Sequence, residues 1–191
     1  MDTGITRKLE SAADTLIRVF KSGGKLLLCG NGGSAADCGH ITGELCKGFL
    51  RLRPIAADIR ARIGEPWADR LQGGFTVLDL TANNCLLTAI NNDIGGEMIF
   101  AQQVSACGAP GDVLIGISSS GNSESVRRAV ITARAMGLYA IAMTGRTGGR
   151  LADCCDLLLN VDADETVRVQ EKQLPLYHAL CARVEAAFFD V

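Results

Sequence analysis

Five short apolar runs, each followed by small or polar residues and then by a stretch with helical spacing, constrain this chain more than any other feature. They are KLLLCG (25–30), FTVLDL (75–80), DVLIGI (112–117), LYAIAMT (138–144) and CDLLLNV (155–161). An apolar run that does not alternate with polar residues suits a strand covered on both faces, and strands that alternate with helices pair in parallel through crossovers. The expected fold class is therefore α/β, with a five-stranded parallel sheet flanked by helices. Helical spacing is predicted over roughly 5–22, 35–45, 85–91, 98–107, 124–136 and 168–188.

A chain of 191 residues with 48% hydrophobic and 21% charged residues has material for one sizeable core. A single domain spanning 1–191 is the expectation. The formal net charge of -2 gives no basic excess of the kind a phosphate backbone attracts, so nucleic acid is not an expected partner. No stretch approaches the ~20 apolar residues of a membrane span, and the charged, amphipathic start is unlike a signal peptide. The eight cysteines form no CxxC pair and sit in apolar helix and strand patterns, or side by side at Cys154 and Cys155. They are expected to be buried, reduced thiols in a cytoplasmic protein.

Residues 49–74 break the rhythm. Arg51, Arg53, Arg60, Arg62 and Arg70 face Asp58, Glu65 and Asp69, with Pro54 and Pro66 as breakers. This reads as a surface excursion with a short solvated helix, or as a wall over a ligand with an arginine reaching an anion.

Two turns of small residues could hold a phosphate. SSSGNS (118–123) follows a strand and precedes a helix, whose first turn offers unsatisfied N–H groups and about half a positive charge. Ser118, Ser119, Ser120 and Ser123 add hydroxyls, beyond what a simple N-cap needs. GNGGSA (30–35) loosely fits a dinucleotide-binding turn. The acidic residue expected about 20 residues later at the end of the next strand is missing, which argues against that fold.

The two histidines are His40 and His178. His40 precedes Glu44 by one helical turn, so both share a face and could be a metal pair, an acid/base unit or an ordinary surface pair. His178 lies in an apolar stripe where a core role is equally open. Gln170 precedes it by eight residues, ~12 Å along a straight helix. Either Pro175 marks an irregular helix start, or the two groups serve different parts of a site, across a subunit boundary for instance.

The pieces LLLCGNGGSAADCGHITGEL (26–45), LTAINND (87–93), GDVLIGISSSGNSESV (111–126), TGRTGGRLADCCDLLLNV (144–161) and VQEKQLPLYHALC (169–181) together resemble the sugar isomerase (SIS) domain family, and within it the bacterial sedoheptulose-7-phosphate isomerases. The resemblance runs from about residue 23 onward. It implies a three-layer sandwich assembled as a homotetramer with active sites between subunits. It also implies zinc, with ligands falling on His40, Glu44, Gln170 and His178. Substrate contacts fall on Asn31, Gly32, Gly33, Glu44, Asn92, Asp93, Ser118, Ser119, Ser120, Ser123 and Gln170. The segment 49–74 is longer than in the shorter enzymes of the family, and ADETVRV differs from their aspartate-containing versions.

The activity so implied converts sedoheptulose 7-phosphate to a D-glycero-D-manno-heptose 7-phosphate through an enediol or enediolate. Glu44 would be the base and His178 the acid. The family resemblance also leaves open an isomerase of another phosphosugar, and a non-catalytic adaptor that binds phosphosugars or associates with a replication initiator.

Overall fold

The computed structural model describes residues 3–189. A parallel five-stranded sheet has the order β2-β1-β3-β4-β5. Its strands are β1 (Leu26–Gly30), β2 (Val77–Asp79), β3 (Val113–Ser118), β4 (Tyr139–Thr144) and β5 (Leu157–Asn160). The helices are α1 (Thr3–Lys21), α2 (Gly33–Cys46), α3 (Ala57–Ile63), α4 (Asn84–Asp93), α5 (Ile99–Cys107), α6 (Glu124–Ala135) and α7 (Thr166–Phe189).

Successive strand residues point to opposite faces, and the buried side chains divide accordingly. Leu26, Leu28, Ile115, Ile117, Ile141 and Met143 join one core with Leu9 and Leu16 of α1, Ile41 of α2 and Leu180 of α7. Leu27, Cys29, Leu114, Ala140 and Ala142 join the other with Phe100 of α5 and Val126 and Val130 of α6. Two covered faces explain why the strands read as continuous apolar runs. The result is the expected three-layer arrangement.

The chain leaves β1 for β2 on one side and reaches β3 on the other, so the order reverses between β1 and β3. In open parallel sheets such a switch point opens a crevice at the carboxyl ends of the two strands. Here those ends run into GNGGS and SSSGNS.

Several expectations need correction. FTVLDL forms only the three-residue, half-buried edge strand β2. Pro175 does not begin a helix irregularly, because α7 runs through it from Thr166 to Phe189. The thiols are all free, and Cys29, Cys38 and Cys181 are buried. Cys46, Cys85 and Cys107 are exposed, against expectation, because each sits at or near a helix end, where the apolar stripe runs out. Segment 49–74 does carry the short α3, with no buried residue, but it is not wholly superficial. Arg53 in it is fully buried against Glu185 of α7. Among the described residues, no helix is long and apolar enough to cross a membrane.

Candidate active site

The crevice is built from the two turns. Asn31 donates from Nδ2 to Ser123 Oγ at 2.9 Å and to Ser125 Oγ at 3.0 Å, tying the β1 turn to the amino end of α6 across the switch point. Ser118 is buried at the end of β3, Ser119 is half-buried and Ser120 is exposed. The Ser119 carbonyl accepts from the Gly145 N–H at 2.9 Å, and the Ser120 hydroxyl accepts from the Asn122 N–H at 3.2 Å. Gly121 holds φ 67°, and a Cβ there would overlap the Gly148 carbonyl. Glycine is required to turn the chain so tightly.

The helix after the β1 turn begins at Gly33, where a Cβ would overlap the amide nitrogen of Gln170. Gln170 of α7 thus rests against the amino end of α2. His40 and Glu44 stand about two and three turns further along.

There the reactive groups converge. His40 Nε2 lies 3.1 Å from Glu44 Oε1 and 3.3 Å from His178 Nε2. One ligand atom from each of His40, Glu44 and His178 falls within 4.8 Å of the others. The rings of His40 and His178 meet edge to face, 4.9 Å between centroids. The side chains of His40 and Glu44 remain 40% and 17% exposed, so the cluster is open to a ligand.

Behind the cluster runs a relay that the sequence did not announce. The Tyr177 hydroxyl donates to Asp37 Oδ1 at 3.2 Å and lies 3.0 Å from His40 Nδ1. Its one proton goes to Asp37, so the hydroxyl accepts from His40 Nδ1–H, which turns Nε2 toward Glu44 and His178. Burial raises the Asp37 carboxyl above its ordinary value, against the opposing pull of Tyr177 and His40. Burial and the nearby Asp37 carboxylate push the Tyr177 hydroxyl well up, so it stays a donor. Asp37 precedes His40 by three residues and Tyr177 adjoins His178, but neither spacing reveals that α2 and α7 meet here.

Two imidazoles and a carboxylate meeting at one point suit a divalent cation, and His40 has on its far nitrogen the hydrogen bond that a ligating histidine needs. His40, Glu44 and His178 therefore fit a metal ion. Gln170, also expected among the ligands, lies instead at the other end of α2, against Gly33.

A cleft of about 330 Å³ adjoins the β1 turn, lined by Asn31, Gly32, Ala35, Thr81, Thr88 and Asn91 among others. Thr81, Thr88 and Asn91 were not foreseen, although Thr81 stands two residues after the end of β2. Asn92 and Asp93 are exposed at the end of α4, where Asn92 Nδ2 donates to Asp93 Oδ1 at 2.7 Å, outside this lining. A larger cavity, about 620 Å³, lies between α1, β5 and α7. Its lysines are matched, Lys8 with Asn160 and Lys172 with the Asp162 carbonyl, and it lies away from the His40, Glu44 and His178 cluster.

Residues 2–64 and 65–145 match the sequence model of the SIS domain. The chain belongs to the SIS domain family. It is 40% identical over 188 residues to a phosphoheptose isomerase of Aneurinibacillus thermoaerophilus, covering 98% of this chain and 85% of that one. It is 42% identical over 178 residues to a phosphoheptose isomerase of Roseiflexus sp. RS-1, covering 93% and 81%. The solved phosphoheptose isomerase GmhA of Neisseria gonorrhoeae superposes with a TM-score of 0.78 at 36% identity, covering 94% of this chain and 86% of that one. This SIS chain keeps the family fold and brings its site-forming turns to the switch point.

Proposed function

We propose that this SIS protein is a phosphoheptose isomerase that interconverts sedoheptulose 7-phosphate and D-glycero-D-manno-heptose 7-phosphate. The observation that carries the reading is the meeting within 4.8 Å of Glu44 and His40, on the helix that starts at the crevice, with His178 of α7. The names of the relatives supply the substrate class.

In the opened ketose, the Glu44 carboxylate removes a proton from C1 while His178 protonates the C2 oxygen, giving an enediol. His178 then takes the proton of the C1 hydroxyl as Glu44 returns a proton to C2, and the aldose results. One group accepts while the other donates, and both are unchanged at the end. Asn31, Gly32, Gly33, Gln170 and the hydroxyls of Ser118, Ser119, Ser120 and Ser123 hold the sugar and its phosphate. That remote grip orients the reacting carbons. Zinc held by His40 with Glu44 and His178 would polarise the sugar oxygens when bound, and Glu44 and His178 would serve as base and acid only while exchanged off the ion. Asn92 and Asp93 would reach a sugar in a neighbouring subunit of a homotetramer; native mass measurement tests that assembly.

The purified protein is expected to convert sedoheptulose 7-phosphate, and Glu44→Gln and His178→Gln to lose that activity while still folded. Full activity in both variants overturns the assigned roles.

A further inference from the structure

The geometry points to Arg53 and Glu185 as positioning residues that together set the placement of both Glu44 and His178. The inference rests on the isomerase reading for its main assay. Arg53 comes from the irregular segment 49–74, yet its guanidinium and the Glu185 carboxylate are both 0% exposed, with Nε 2.7 Å from Oε1. A fully buried ion pair carries a desolvation cost that only further hydrogen bonds offset. Those bonds lead to the site.

On one side, Arg53 donates from Nη1 to the Leu45 carbonyl at 2.7 Å and from Nη2 to the Glu44 carbonyl at 2.9 Å. These carbonyls lie in the last turn of α2, which lacks helical donors of its own and carries partial negative charge. The guanidinium supplies both donors and charge, and so fixes the helix end that bears Glu44. The rings of Phe75 and Phe189, with centroids 5.1 and 5.4 Å from the guanidinium carbon, hold it in place.

On the other side, Glu185 accepts from the Phe49 and Leu50 N–H groups, each at 2.8 Å. The Phe49 ring packs 5.4 Å, centroid to centroid, from the His178 ring. Glu185 also stands seven residues after His178 on α7, about two turns along the same face. One buried pair thus joins the end of α2 to α7, and through them the base to the acid.

The test uses Arg53→Lys and Glu185→Gln in the full-length protein, with folding checked by circular dichroism. Lysine keeps the charge but not the fixed fork that reaches three acceptors at once. Small misplacement of a reacting group is costly, so we expect kcat to fall about tenfold or more while KM stays within about twofold. Folded variants with wild-type kcat, or a kcat loss that only tracks the folded fraction, overturn the inference. If neither variant folds, Phe49→Leu decides, because it leaves the ion pair intact; unchanged kcat there overturns it. A wild-type protein inactive on sedoheptulose 7-phosphate would instead overturn the isomerase reading. Cobalt(II) titration, which reads His40, Glu44 and His178 without turnover, then decides the positioning role: weaker binding in the variants supports it, and wild-type affinity overturns it.

Discussion

The hydroxyl of Tyr177 bridges Asp37 and His40, 3.2 Å from the carboxylate and 3.0 Å from the imidazole. The other Asp37 oxygen is buried with no hydrogen-bond partner among the described residues. Tyr177→Phe therefore leaves that carboxylate without its side-chain donor and frees His40 to change tautomer. The expected cost is about 1–3 kcal/mol in urea unfolding. Metal affinity, measured by competition with a chelator, should fall roughly 10- to 100-fold. Unchanged metal affinity would show that the relay does not orient His40.

Gly33→Ala places a methyl group where the Gln170 amide now lies. Alanine favours a helix over glycine by about 1 kcal/mol, so the fold should not suffer from the backbone change. The expected result is a thermal midpoint near that of the parent with a raised KM for the sugar phosphate. A parent-like KM would remove Gln170 from substrate binding.

Ser120 is exposed on the turn between β3 and α6. Ser119→Ala and Ser120→Ala each remove a donor proposed for the phosphate, a bond to a charged group of about 1.5–3 kcal/mol. Inhibition by inorganic phosphate should weaken roughly tenfold in each, the ratio that ~1.4 kcal/mol represents. Equal inhibition of parent and variants would place the anion elsewhere.

Burial alone would raise the Glu185 carboxyl, but the Phe49 and Leu50 N–H groups and Arg53 outweigh it and hold the group below its ordinary value. A carboxyl depressed in the folded state stabilises fully above its unfolded value, about 4.3 for glutamate, and progressively less as pH falls below it. The stability gap between the parent and Glu185→Gln, read from urea midpoints, should narrow as the solution is acidified through that region. A gap that stays constant would show that the carboxylate charge is not what the pair contributes.

The framework was legible because its signals are local. KLLLCG and DVLIGI announce buried strands by their own composition, and the four-residue spacing of His40 and Glu44 puts them on one face whatever lies beyond. Arg53 was not legible. Among five arginines in a polar stretch it reads as solvated, and only a carboxylate 132 residues away, brought over by α7, makes its burial tolerable. Tyr177 was hidden for the opposite reason, since an aromatic in an apolar stripe reads as core and its hydroxyl matters only once α2 is beside it. The strand FTVLDL was overextended because an edge position needs fewer paired residues than its apolar length suggested.

Helix α2 starts at the crevice and carries His40 and Glu44 at fixed offsets, seven and eleven residues on from Gly33. At ~1.5 Å per residue the helix acts as a ruler. With the proposed chemistry it would measure the span between the anchored and the reacting ends of a sugar, and a molecule that is too short would touch one mark or the other but not both.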